Sequence, residues 1–199
     1  MFRPLLAAGL ALCVTIASAQ APSPTQRLRG TVRSFDGTTL VLAERNGQVM
    51  SLAVAENLSV SEVLPVDPAS LAVGSYVGTA AMVEADGTLR ALELLIFPDM
   101  ARGTGEGHSA WDLQPGSTMT NANVARLVTV PQGRSLTLTY KDGEKTVIVP
   151  EGVPIVTFKP GDRTLLVAGA RVVVTSQLRD GKPTALRVLA GRDGFAPPM

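Results

Sequence analysis

Cysteine, histidine and tryptophan each occur once in the 199 residues, as Cys13, His108 and Trp111. A lone cysteine cannot form an internal disulfide, so the fold has to rest on an ordinary apolar core, which a chain of this length can supply. One histidine is few for zinc, whose tetrahedral sites usually draw on several His or Cys ligands. Charge of one sign is also missing: 18 Lys and Arg stand against 17 Asp and Glu, with no like-charge run beyond two residues. That balance lacks the electrostatic footprint of a nucleic-acid or anionic-membrane binder. No apolar stretch reaches the roughly 20 residues that a membrane-spanning helix needs.

What is present begins with a leader. MFRPLLAAGLALCVTIASA has a basic start at Arg3, an apolar run from Leu5 to Ala17, and small residues at Ala17, Ser18 and Ala19. This is the layout of a secretory signal peptide, residues 1–19, cleaved after Ala19. An acylated Cys13 would want a small residue where Leu12 stands. Cleavage after Ala19 removes Cys13 and Arg3 together, leaving a mature chain without cysteine and with a net charge near zero. The expected location is periplasmic or secreted.

After a flexible Pro/Ser lead-in (20–27), short alternating runs are broken by turn dipeptides. Strands are expected at Leu28 to Phe35, Thr39 to Glu44, Val49 to Val54, Tyr76 to Glu84 and Thr88 to Phe97. Asp36-Gly37, Asn46-Gly47 and Asp86-Gly87 mark antiparallel reversals. The two-residue period puts Leu40, Leu42, Leu52 and Val54 on one face. Asp67 is placed to cap a short helical turn opened by Pro68, with Gly74 closing it.

The same unit recurs. Gly37, Leu40 and Asn46-Gly47 match Gly133, Leu136 and Asp142-Gly143 at an offset of 96 residues, Gly74 and Val77 match Gly169 and Val172 at 95, and Ala91-Leu92 match Ala185-Leu186 at 94. Punctuation that stays in step for so long reads as an internal duplication. In the second copy, strands are expected at Val124 to Val130, Ser135 to Tyr140, Lys145 to Val149, Ile155 to Phe158, Arg171 to Leu178 and Thr184 to Leu189. Short strands, Gly/Asp turns and 4% aromatic residues point to small closed barrels, which remove exposed sheet edges. The fold class is therefore all-β: two duplicated small OB-like barrels (28–98 and 123–190), a Gly-rich connector (99–122) and a loose tail (191–199). One larger sheet system is the competing arrangement.

Three stretches carry a likeness: R-G-T-V from Arg29 to Val32, S-L-A-V-G-S-Y-V from Ser70 to Val77 echoed by L-L-V-A-G-A-R-V from Leu165 to Val172, and the connector, R-G-T-G-E-G-H-S-A-W-D-L (Arg102 to Leu113) with P-G-S-T-M-T-N-A (Pro115 to Ala122). On them the chain resembles exported bacterial proteins with tandem OB-like barrel domains of unknown function. The resemblance implies fold and compartment and carries no activity.

The connector holds the candidate site. Asp99, Glu106, His108 and Asp112, near Met100 and Met119, could form a metal centre, with Glu106, His108 and Asp112 as its candidate ligands. Gly103, Gly105 and Gly107 have neither the helix nor the Lys of a phosphate loop. Ser109 or Ser117 beside His108 and Asp112 is too loose a pattern for nucleophilic catalysis, and no G-x-S-x-G elbow occurs. Trp111 with Leu113 reads either as a clasp packed against a barrel or as an aromatic anchor for a partner; the clasp is preferred.

The function expected is non-catalytic binding or interaction, with no cofactor and no nucleic acid. The partner is a protein or small molecule, and Arg102, Glu106, His108, Trp111 and Asp112 are the candidate contacts. The alternative is a periplasmic metal-binding accessory protein centred on His108.

Overall fold

The computed structural model describes residues 23–199; the expected leader and the expected cleavage after Ala19 lie outside them. The described residues are all-β, with helix limited to three 3₁₀ turns of three residues each. None of these helices is long and apolar enough to cross a membrane. The strands are β1 (Thr25–Phe35), β2 (Thr39–Glu44), β3 (Val49–Pro65), β4 (Tyr76–Val83), β5 (Leu89–Ala91), β6 (Leu94–Ile96), β7 (Gly107–Ala110), β8 (Ser117–Val130), β9 (Gly133–Tyr140), β10 (Gly143–Pro150), β11 (Ile155–Pro160), β12 (Arg171–Arg179) and β13 (Lys182–Gly191).

Local chemistry sets the turns. Gly37 and Gly47 adopt φ of 98° and 88°, the left-handed region that tight reversals demand and that glycine enters without steric cost. Asp36 Oδ1 accepts from the backbone N–H of Thr38 and Thr39 at 2.8 and 2.7 Å. Asp67 accepts from Ala69 N–H at 2.7 Å and so caps the 3₁₀ turn that Pro68 opens. Leu40, Leu42 and Leu52 point into one core and Val54 packs, half-buried, against it, as their alternation requires.

Two pairings beyond the linear strand order close rings. β1, β2, β3, β13 and β12 form one five-stranded barrel through the parallel β3–β13 pairing. In the other, β4, β5, β10, β9 and β8 close through antiparallel β4–β8 and parallel β5–β10 pairings. Leu28, Leu40, Leu42, Leu52, Val174 and Val188 fill the first ring. Val77, Leu94, Leu136, Leu138, Val147 and Val149 fill the second.

Neither ring is drawn from one stretch of chain, so 28–98 and 123–190 delimit runs of sequence rather than barrels. Each ring takes three strands from one run and two from the other. The cause lies in β3, expected to stop at Val54 but running 17 residues to Pro65. At about 3.3 Å per residue it spans roughly 55 Å, enough to carry the chain out of the first ring and into the second before Asp67 turns it. β11 pairs antiparallel with the far half of β3, with Val63 opposite Phe158. Both rings thereby belong to one continuous sheet, which joins the two arrangements that the sequence left in competition.

Three further boundaries differ from expectation. Thr88 to Phe97 is not one strand but β5 and β6, interrupted at Leu92-Glu93. Residues 117–122 of the expected connector belong to β8, a barrel strand. The tail is not loose: Arg192 makes two 2.9 Å hydrogen bonds to Glu62, and Met199 is buried with Val63, Val156 and Val173 between the rings. A cation beside a buried carboxylate, the Arg29 Nε–H donated to the Met199 carbonyl at 3.0 Å and an apolar last side chain hold it.

Candidate functional site

The connector is ordered by backbone and side-chain hydrogen bonds. Arg102 donates to Asn123 Oδ1 at 2.8 Å and to the Gly74 carbonyl at 3.1 Å. Tyr76 donates its hydroxyl to the Thr104 carbonyl, and Asn121 donates to that of Gly105. β7 then adds to the edge of β8, with His108 opposite Thr120.

The residues offered as a metal centre have separate partners. Glu106 accepts from the Lys141 backbone N–H at 3.0 Å. His108 Nδ1 lies 2.8 Å from the Thr120 hydroxyl; partial burial, with the Lys145 charge, holds its imidazole below the ordinary value. Asp112 accepts from Arg29 at 2.7 Å and lies 3.6 Å from Arg27. Burial pushes the Asp112 carboxyl up, but the Arg29 hydrogen bond and the two guanidinium charges outweigh it and hold the group below the usual carboxylate range. Among the described residues, no three His, Cys, Asp or Glu side chains converge as metal ligands do. Nor does Asp112 orient His108, and Thr120, beside the imidazole, is fully buried, out of reach of a substrate.

Trp111 is half-buried, between the clasp and the exposed anchor. The Arg27 guanidinium stacks 3.9 Å from its ring centroid, while Asp112 beside it ties the same loop to β1. Its backbone is pinned by Ser117, whose carbonyl accepts from Trp111 N–H at 2.8 Å and whose hydroxyl donates to the Trp111 carbonyl. The indole Nε1, buried from solvent, has no hydrogen-bond partner among the described residues.

That indole borders a cavity of about 900 Å³ where the two rings meet. Its walls include Leu95, Phe97, Phe158, Leu189 and Met199. Phe97 sits between Tyr76 and Phe158, with centroids 5.1 and 5.9 Å away, in the tilted and edge-on geometries that aromatic pairs prefer. The three charged side chains on the wall are Arg27, Glu93 and Arg187.

Glu93 is the residue that the sequence reading missed. It is 1% exposed and occupies the break between β5 and β6. Its Oε1 accepts from Ala80 N–H at 2.9 Å, and its carbonyl accepts from the Thr79 hydroxyl at 2.7 Å. Oε2 has no partner. Burial pushes the carboxyl up to about 7, against the opposing hydrogen bond from Ala80. An unpaired carboxylate in an apolar wall is costly, and the group responds by holding its proton. A signal was available: Glu93 is a lone carboxylate in the otherwise apolar run Ala91 to Phe97. Arg187, at the matching place in β13, follows a register shift between Ala185 and Arg187. Such irregularities re-aim side chains out of the alternating pattern.

Compared with known proteins, the chain matches no family model, no curated protein and no solved structure.

Proposed function

We propose that the chain is an exported, periplasmic or secreted, non-catalytic binding protein built by duplication of an OB-like barrel, and that its ligand occupies the cavity between the rings. One observation carries the reading: two buried polar atoms without partners, Glu93 Oε2 and Trp111 Nε1, both belong to residues on the wall of that cavity. Buried polar groups are nearly always hydrogen-bonded, so two left open within the lining of one largely apolar space point to a ligand toward which those side chains turn. Support for the duplication comes from pairing as well as pattern. Leu189 lies opposite Ser61 in the parallel β13–β3 pair, and Leu95 opposite Val156 in the parallel β6–β11 pair, with offsets of 94 and 95 residues between the equivalent positions. The leader supplies the compartment. No comparable convergence favours a metal-handling role for His108.

Trp111, the sole tryptophan, is a built-in reporter. Titrating the full mature chain with a panel of amphiphiles should shift its fluorescence in a saturable way. Ser59→Phe should abolish that response while leaving the melting temperature in place, because Ser59 is an exposed residue of β3 on the cavity wall. A response that survives Ser59→Phe would place the ligand elsewhere.

A further inference from the structure

Resting on that reading of the cavity, we infer that its ligand is a single-chain amphiphile with an anionic head, the chain lying against Leu95, Phe97, Phe158 and Leu189 and the head at Arg187. The wall also carries neutral groups such as Asn57, Ser59 and Asn121, which serve a head of either sign, so the donor-only residues select it. Indole Nε1–H and guanidinium can only donate hydrogen bonds, so the exposed Arg187 requires an acceptor from the ligand at once, and Trp111, whose Nε1 is closed off from water, takes one when its ring turns toward the cavity. Carboxylate and phosphate heads present acceptors alone, and both fit the planar fork of arginine. An ammonium head would satisfy neither residue.

The two guanidinium groups are not equivalent. Arg27 is engaged by the Trp111 ring and by Asp112 at 3.6 Å. Arg187 is exposed, and among the described residues it has neither an ion pair nor a side-chain hydrogen bond. It is therefore the wall's uncompensated charge. Glu93 does not cancel it: among the described residues no ion pair joins the two, and burial raises that carboxyl to about 7, which leaves it only partly ionised near neutrality. The volume, about 900 Å³, falls within the range of small-molecule pockets, roughly 300 to 1,000 Å³, and the aromatic and aliphatic walls match an acyl chain.

Matched probes separate head group from cavity. Calorimetric titration of the full mature chain, below micelle-forming concentrations, would use hexadecanoate, hexadecanol and hexadecylamine, with a single-chain C16 lysophosphatidate as the lipid-derived alternative. The inference predicts saturable 1:1 binding of hexadecanoate or lysophosphatidate, at least tenfold tighter than the alcohol or amine. Arg187→Ala should remove most of that preference, and Ser59→Phe all binding. Whichever anion binds more tightly tells a free fatty acid from a lipid fragment, and either supports the anionic head. Equal binding of all four probes, lost in Ser59→Phe, would overturn the head-group assignment and leave the cavity reading standing. Tighter binding of the amine would do the same. No binding of any probe would overturn both.

Discussion

At the scale of single residues, Glu93 carries the most weight. Its carboxyl is raised from an ordinary 4.5 to about 7 by complete burial, so between those values the folded chain holds a proton that the unfolded chain has released. Stability contributed there is fully present below the unfolded value and declines as pH rises toward 7. The shift corresponds to about 3 kcal/mol. Glu93→Gln, which keeps the shape and cannot ionise, is expected to flatten the fall in urea-unfolding free energy between pH 4.5 and 7; an unchanged slope would mean that Glu93 is not the group responsible. Trp111 belongs to the same scale. Its ring is half-buried and stacked on Arg27, so Trp111→Ala is expected to cost about 2 kcal/mol, less than the ~3 to 5 kcal/mol of a fully buried tryptophan.

At the scale of elements, the reversals at Asp36-Gly37 and Asn46-Gly47 were legible because backbone sterics fix them locally, and β2 ends where its alternation ends. The far half of β3 was not legible. Glu62, a buried carboxylate at 7% exposure, interrupts the apolar pattern there and is compensated only by Arg192 and Lys159 at 2.9 and 3.5 Å, 130 and 97 residues along the chain. The Arg192 hydrogen bond comes first among the causes that hold the Glu62 carboxyl below its usual value. Its contribution to stability is therefore present above the unfolded carboxylate range and is lost as pH falls through the depressed value. Arg192→Ala should release the tail. Faster amide hydrogen exchange at Phe195, whose N–H is bonded to the Arg192 carbonyl, is the expected readout, with β2 amides unchanged. Equal protection of Phe195 in both proteins would show that Met199, buried and hydrogen-bonded by Arg29, anchors the tail without Arg192.

For the whole molecule, the all-β class and closed barrel could be read from strand length and turn spacing, but the exchange of strands between rings could not. Closure within one run and closure across two runs use the same alternating faces and the same edge pairings, so pattern alone is silent on which occurs. The cavity is a product of that exchange, which is why the connector drew attention through its rare residues while Glu93, Arg187 and Phe158, spread over three strands or strand breaks, drew none. Exchange has a mechanical consequence. A protease site inserted at Gly103-Thr104, in the exposed part of the connector, should yield two fragments that elute together at the intact size in native buffer, because neither retains a complete ring. Fragments eluting as two separate folded halves would contradict the ring assignment.

The proposed site rests on Glu93 and Trp111 taking up one ligand, and the single indole makes that directly observable. In a ¹⁵N-labelled mature chain, Trp111 contributes the sole indole cross-peak. With hexadecanoate added to one equivalent, that peak should move downfield as Nε1–H gains an acceptor, and the movement should vanish in Ser59→Phe. An indole peak that stays in place while calorimetry records saturable binding would contradict the account.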